Sequence, residues 1–286
     1  MRDRQHRAAA RHGDAAREIA NGLRSIQAKS GHNLARIWDD WISSMALAIA
    51  NKCDRRPAAV ERREAEYMQI VKAHKRETMF AYRDMLHAVI RGMDTDLPFD
   101  LLGSVYMALE LGSSHAGQFF TPTDVCTLMV RMAVEPEDLR EIVERDGFVT
   151  TCEPSIGGGA IVLPVLSAIY EAGLVPFHHL HVVGIDVDYT VLRMAYVQLS
   201  LLGVPAVLYV GDTLRMQMRD DWFTPAHVAF GWGAKLRRHR EREAMERKLA
   251  ELGVGLTRDQ AKADPAPVVP AEPAPAPSQG SLFDGW

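Results

Sequence analysis

The chain lacks most of the features that settle a protein's class at a glance. Its 286 residues include only three cysteines, at 53, 126 and 152, with no CxxC pair. An odd, scattered set argues against a disulfide framework and against a thiolate zinc site. No apolar run approaches the roughly 18 residues that cross a bilayer. The basic first residues lack the apolar stretch of a secretory signal. Together these absences predict a cytoplasmic protein. His178, His179 and His181 crowd one stretch, yet no carboxylate or thiolate is spaced beside them as a ready metal site. They read as a loop leading into a strand, and no metal is expected. A formal net charge of −4 does not announce a nucleic-acid binder either.

That sum hides an uneven distribution. Residues 1–36 carry eight Arg or Lys against three acids, and residues 235–249 carry seven against three. Local basic segments can supply phosphate contacts that a whole-chain sum conceals. Arg237, Arg238, Arg240 and Arg242 are the candidates for a DNA backbone, although the glutamates among them equally suit a salt-bridged helix.

Residues 1–36 read as a basic, loosely ordered segment. A helical domain follows over 37–115, with helices at 37–50, 61–91 and 101–112. The rhythm then changes to alternating strands and helices. Residues 148–154 read as a strand, 159–172 as a helix, "LHVVGID" (180–186) as a strand and 189–201 as a helix. "AVLYVGD" (206–212) gives a third strand and "AHVAFGW" (226–232) a fourth. This predicts an α/β fold with a short, mostly parallel sheet spanning 116–234. A charged helix over 235–262 and a Pro/Ala-rich tether over 263–286 complete the chain.

The sharpest constellation is "CEPSIGGGA" (152–160), where a strand ends in Glu153 and a glycine turn leads into a helix. Glycines permit backbone angles and close ligand approach that a side chain prevents. Strand ends and a helix N-terminus then frame a crevice for a nucleotide-like ligand. Asp186 closes the next strand, where an acid can accept both hydroxyls of a ribose, with Asp188 competing for that role. Asp212 closes the third, suitably placed to meet a base ring. No Lys-Ser/Thr follows the glycines, so the turn is not a P-loop. Glu153 beside the turn suits a cationic ligand better than a pyrophosphate, and S-adenosylmethionine has that character. Upstream, Thr121-Pro122 reads as the cap and first residue of a helix, with Asp124 completing a capping box.

With these residues in view, positions 99–214 resemble the N6-adenine DNA methyltransferases of the type I modification-subunit kind, especially short phage- and plasmid-borne members. "GQFFTP" (117–122) is similar to that family's N-terminal cofactor motif through Gln118, Phe119, Phe120, Thr121 and Pro122. "EPSIGGG" (153–159) is similar to its cofactor loop through Glu153, Pro154, Gly157 and Gly159. The resemblance implies a methyltransferase-like Rossmann fold, S-adenosylmethionine as cofactor, Asp186 on its ribose and Asp212 on its adenine. It further implies methyl transfer to adenine N6 in double-stranded DNA, in a restriction-modification setting.

The family's catalytic tetrapeptide (Asn or Asp, Pro, Pro, aromatic) has no counterpart, because the chain contains no Pro-Pro pair. Two stretches offer substitutes: Phe230 and Trp232 in "AFGWGAK", and Asp221, Trp222, Phe223 and Pro225 in "DDWFTPAH". A surface turn and edge strand would explain the second stretch without catalysis. A non-catalytic module that binds DNA or a replication partner is therefore the alternative function. A nicotinamide oxidoreductase has no task for the Glu-Pro entry or the aromatic-Thr-Pro element. At the end of the tether, Gln279, Leu282 and Phe283 resemble the pentapeptide by which bacterial proteins dock on the sliding clamp. A fourth strand at the edge of a short sheet calls for cover, by a helix, a loop or the second subunit of a homodimer.

Overall fold

The computed structural model describes residues 2–94, 98–111 and 121–251. Five helices come first: α1 (Arg2–Ser30), α2 (Leu34–Cys53), α3 (Pro57–Ala73), α4 (Arg76–Met93) and α5 (Leu101–Ala108). Helix α1 is continuous and not loosely held, because Ala15, Ile19, Leu23 and Ile26 recur at helical spacing and are buried. Two glycines let α1 and α4 approach closely. A Cβ at Gly22 would lie 2.6 Å from Met85 Sδ, and one at Gly92 would lie 2.7 Å from Ala15 Cβ. The single helix expected over 61–91 is two. His74 and Lys75 interrupt it, and the His74 ring is held 2.8 Å from Asp40 of α2.

Helices α6 (Thr123–Ala133) and α7 (Pro136–Asp146) lead into the sheet. The cap expected at Thr121 does not form. Helix α6 starts one residue later than expected, at Thr123, with Pro122 at its N-cap and no side-chain capping bond. Gly147, at φ +83°, ends α7 in the left-handed conformation that a helix C-terminus favours.

The sheet has four strands in the order β1–β2–β3–β4. They are β1 (Val149–Glu153), β2 (Leu180–Asp186), β3 (Ala206–Asp212) and β4 (Gln217–Phe223). Helices α8 (Val162–Glu171), the short α9 (Pro176–His179) and α10 (Tyr189–Leu201) connect the first three. Strands β1, β2 and β3 are parallel, as the alternating pattern predicts, and β4 runs antiparallel to β3. The outer side of β1 has no strand partner among the described residues.

The fourth strand is not where the sequence pattern put it. Residues 226–232 form α11 (Pro225–Ala229) and the start of α12 (Trp232–Glu251). Thr224-Pro225 is a helix entry, and the Thr224 hydroxyl is spent on the Ala206 N–H at 2.8 Å and the Val204 carbonyl at 2.8 Å. The preceding residues, "QMRDDWF", become the strand.

This edge strand is covered by arginines from the helical layer. Arg56 makes a bidentate contact with Asp221 at 2.8 and 3.0 Å, and Arg62 reaches Asp220 at 2.5 Å. Buried Arg63 bonds Asp54 at 2.9 Å and the Asp221 carbonyl at 3.3 Å, lying 5.0 Å over the Trp222 ring. Arg193 of α10 lies 5.1 Å over the same ring and pairs with Glu66 at 2.7 Å. Arg56 and Arg63 hold the Asp54 carboxylate down to about 2, against the opposing effect of its burial. Cations and helix α3 thus guard an edge that would otherwise invite strand pairing.

The chain divides into two compact units, residues 1–236 and 237–286. The described part of the second is the body of α12. No described helix is long and apolar enough to cross a membrane.

Candidate functional site

The carboxyl ends of β1, β2 and β3 frame a crevice whose parts are tied to one another. The glycine turn follows β1, with Gly157 at φ +55° and Gly159 at φ +93°. Gly157 donates its N–H to Asp186 Oδ2 at 2.9 Å, and the Ile156 N–H bonds the Ile185 carbonyl at 2.9 Å. A Cβ on Gly159 would sit 3.4 Å from Ala195 Cβ, so the turn lies directly on α10. Asp186 Oδ1 accepts the Asp188 N–H at 3.0 Å. Burial raises the Asp186 pKa, opposed by these backbone donors. Each carboxylate oxygen keeps a second lone pair, so Asp186 can brace the turn and still accept a ligand hydroxyl.

Asp188 is committed differently. Its side chain caps α10 by accepting from Thr190 N at 2.8 Å and Val191 N at 3.1 Å. Asp186 is therefore the better placed of the two for a ribose. Glu153 accepts the Ser155 N–H at 3.1 Å and remains half-exposed beside the turn. Asp212 accepts the Arg215 N–H at 3.0 Å, and Thr213 donates its hydroxyl to the Pro154 carbonyl at 2.7 Å. That last bond fastens the end of β3 to the turn after β1. Two apolar side chains next to these acids are left to solvent: Val187 is 58% exposed and Leu214 98% exposed.

The opening segment reaches the same place in part. Gln118, Phe119 and Phe120 lie outside the described residues, while Thr121 and Pro122 are exposed ahead of α6. Cys126, one turn into α6, has its thiol pKa raised by burial, with the charges of Asp100 and Glu153 adding to it.

The six catalytic candidates lie elsewhere, and the direction of β4 is the reason. Gln217 pairs with Asp212 at the crevice, whereas Phe223 pairs with Val207 at the opposite end. At about 3.3 Å per residue, β4 carries Phe223 about 20 Å from that rim. Asp221 is held by Arg56, Trp222 is buried, and Phe223 stacks on His227 at 5.0 Å. Pro225 opens α11. Phe230 stacks on Phe177 at 4.7 Å, and buried Trp232 donates its indole N–H to the Phe177 carbonyl at 2.9 Å. Trp232 also packs on Phe148 and His181, at the starts of β1 and β2. These six residues close the amino end of the sheet and its β4 edge.

Sequence reasoning missed Gln198. It is fully buried in α10 and donates to the Gly158 carbonyl at 2.8 Å and to Asp100 Oδ1 at 2.9 Å. Its Oε1 accepts the Leu102 N–H at 3.3 Å, so one amide joins the glycine turn to the N-terminus of α5. Burial raises the Asp100 pKa. The available signal was a lone glutamine inside the apolar run "AYVQLSLL". Thr213 and Thr190, the latter bonded to Asp39, gave no signal at all.

The β3–β4 hairpin turns at the same end of the sheet. A bulge leaves Arg219 as the extra residue, and it reaches back to the Val187 carbonyl at 2.7 Å. Leu214, Arg215, Met216, Met218 and Arg219 are all exposed. On α12, Arg237, Arg238 and Arg240 are exposed, whereas Arg242 pairs with Glu246 at 3.7 Å. Gln279, Leu282 and Phe283 lie outside the described residues. Among the described residues no group of three or more His, Cys, Asp or Glu is arranged to hold a metal ion.

No protein-family model matches this chain, and no curated protein matches it. Among solved structures, the chain is similar to a Listeria monocytogenes protein provisionally described as a class I S-adenosylmethionine-dependent methyltransferase, at 14% identity and a TM-score of 0.34. The match covers 72% of this chain and 56% of that one, so the chain spans little more than half the length of its neighbour. The fold assigned above rests on strand order and direction, without support from this likeness.

Proposed function

We propose that this chain binds S-adenosylmethionine at the carboxyl ends of its sheet and transfers the methyl group to adenine N6 in DNA. One observation carries the cofactor reading: the turn after β1 is tied to Asp186 through the Gly157 N–H and to the end of β3 through Thr213, next to Asp212, with Glu153 beside it. In this reading Asp186 accepts the ribose hydroxyls and Asp212 meets the adenine. Glu153 offsets the positive charge of the methionine end, and Val187 and Leu214 cover the ring. The DNA reading is supported by the motif resemblance and by the rim, where the hairpin presents Arg215 and Arg219 beside bare Leu214 and Met216.

Adenine N6 is a poor nucleophile, so transfer needs acceptors for its two hydrogens and a ring to stack the flipped base. Those groups must stand at the rim, within reach of the methyl donor. Asp221, Trp222, Phe223, Pro225, Phe230 and Trp232 do not. The placement of these six favours a second reading, a non-catalytic module that keeps the cofactor fold and binds DNA or a partner.

Calorimetry with S-adenosylmethionine, then incubation of labelled cofactor with unmethylated duplex DNA and nucleoside analysis, separates the readings. Binding with N6-methyladenine formation supports the enzyme. Binding without methylation at any protein concentration supports the module, and no binding rejects both. For partners, we propose that residues 279–283 dock on the sliding clamp. A titration of the tail peptide against purified clamp should show binding that Leu282→Ala with Phe283→Ala abolishes.

A further inference from the structure

Helix α6 carries an apolar face turned to solvent. Val125, Leu128, Met129 and Met132 are 44%, 59%, 54% and 80% exposed. Their spacing (i, i+3, i+4, i+7) places them in one stripe about 100° wide. Cys126 and Val130 point the other way and are buried. One helix therefore has two apolar faces, of which the fold uses one. Four large side chains in register on eleven residues form a seam, unlike the scattered exposed apolar residues of ordinary surfaces.

We infer that α6 is a self-complementary face through which two copies of this chain pair antiparallel. Charge selects the occupant and its direction. Asp124 and Arg131 lie seven residues apart on the same flank of the stripe, at equivalent positions of a heptad whose seam is 125, 128 and 132. When two such helices face each other antiparallel, these flanks meet. Asp124 of one copy comes beside Arg131 of the other, and two-fold symmetry makes the contact twice. Parallel pairing sets Asp124 beside Met129 and gains nothing. Arg131 approaches Glu171 at 3.8 Å with both side chains well exposed, a weak contact that leaves its other donors open. A membrane surface fits poorly, because such helices carry several cations along the polar flank and α6 has only Arg131.

The test is sedimentation equilibrium of the full chain across a concentration series, with circular dichroism confirming the fold of each variant. The unaltered chain should dimerise, and Leu128→Asp with Met129→Asp should leave it monomeric. Asp124→Arg or Arg131→Asp alone should weaken dimerisation roughly tenfold, since each change places like charges together at both symmetric contacts. Combining Asp124→Arg with Arg131→Asp should restore it. A chain that stays monomeric at every concentration overturns the inference. So does a dimer that ignores the stripe substitutions, or a doubly reversed variant no better than the single ones.

Discussion

The two ends of the sheet are built from different chemistry. At the amino end, Phe148, Phe177, His181, His227, Phe230 and Trp232 pack ring against ring. At the carboxyl end stand acids, glycines and backbone donors, with Val187 and Leu214 bare. The first end has spent its side chains on cohesion, and the second has kept some uncommitted. Aromatic residues near a strand end are thus no guide to reactivity until the strand's direction is known.

The largest effect should come from the cohesive side. Trp222→Ala removes a ring clamped between Arg63 and Arg193 and should cost about 3–5 kcal/mol of stability by denaturant unfolding. A loss below 1 kcal/mol would mean that the clamp does not hold the edge strand in place.

Acid should come next. His181 Nε2 and His227 Nδ1 lie 3.0 Å apart, and burial lowers their pKa values to about 3 and about 4 from an ordinary 6.5. Between pH 6.5 and about 4 the unfolded chain binds protons that the folded one refuses. The contribution to stability is full above that window and falls as pH drops through it. Two histidines give a slope on the order of 2–3 kcal/mol per pH unit. His227→Gln should flatten the decline measured by thermal unfolding, and an unchanged slope would remove this pair as its source.

On the open side the effects should appear in binding. Asp186→Ala should lower S-adenosylmethionine affinity at least about tenfold, a loss near 1.4 kcal/mol. It should also loosen the turn through the orphaned Gly157 and Asp188 N–H groups. Equal affinity by calorimetry would take Asp186 out of the site. The smallest change in stability belongs to Leu214→Ala, within about 0.5 kcal/mol because the side chain packs on nothing. Its effect should show instead in cofactor or DNA affinity, and no effect on either would leave the hairpin without a role.

The parallel core was legible because strong alternation fixed β2, β3 and α10 to the residue. Glu153, Asp186 and Asp212 followed, since an acid ending a parallel strand must face the same rim. Strand β4 was illegible for a physical reason. Its "RDD" run looks like a loop, and its partners are Arg56 at the N-cap of α3 and Arg62 and Arg63 within it, more than 150 residues earlier in the chain. Helix α11 was hidden similarly, because "AHVAF" suits a strand until Thr224-Pro225 is recognised as a helix entry. Gln198 could be noticed but not assigned, as its partners are distant in sequence.

Gln198 also changes what the first hundred residues are for. A single carboxamide grips a carbonyl of the glycine loop and the first turn of a helix in the preceding layer. Through it, α5 becomes part of the frame that holds that loop in shape. Trimming the chain to its sheet would remove the groups that hold the glycine loop in place along with the scaffold.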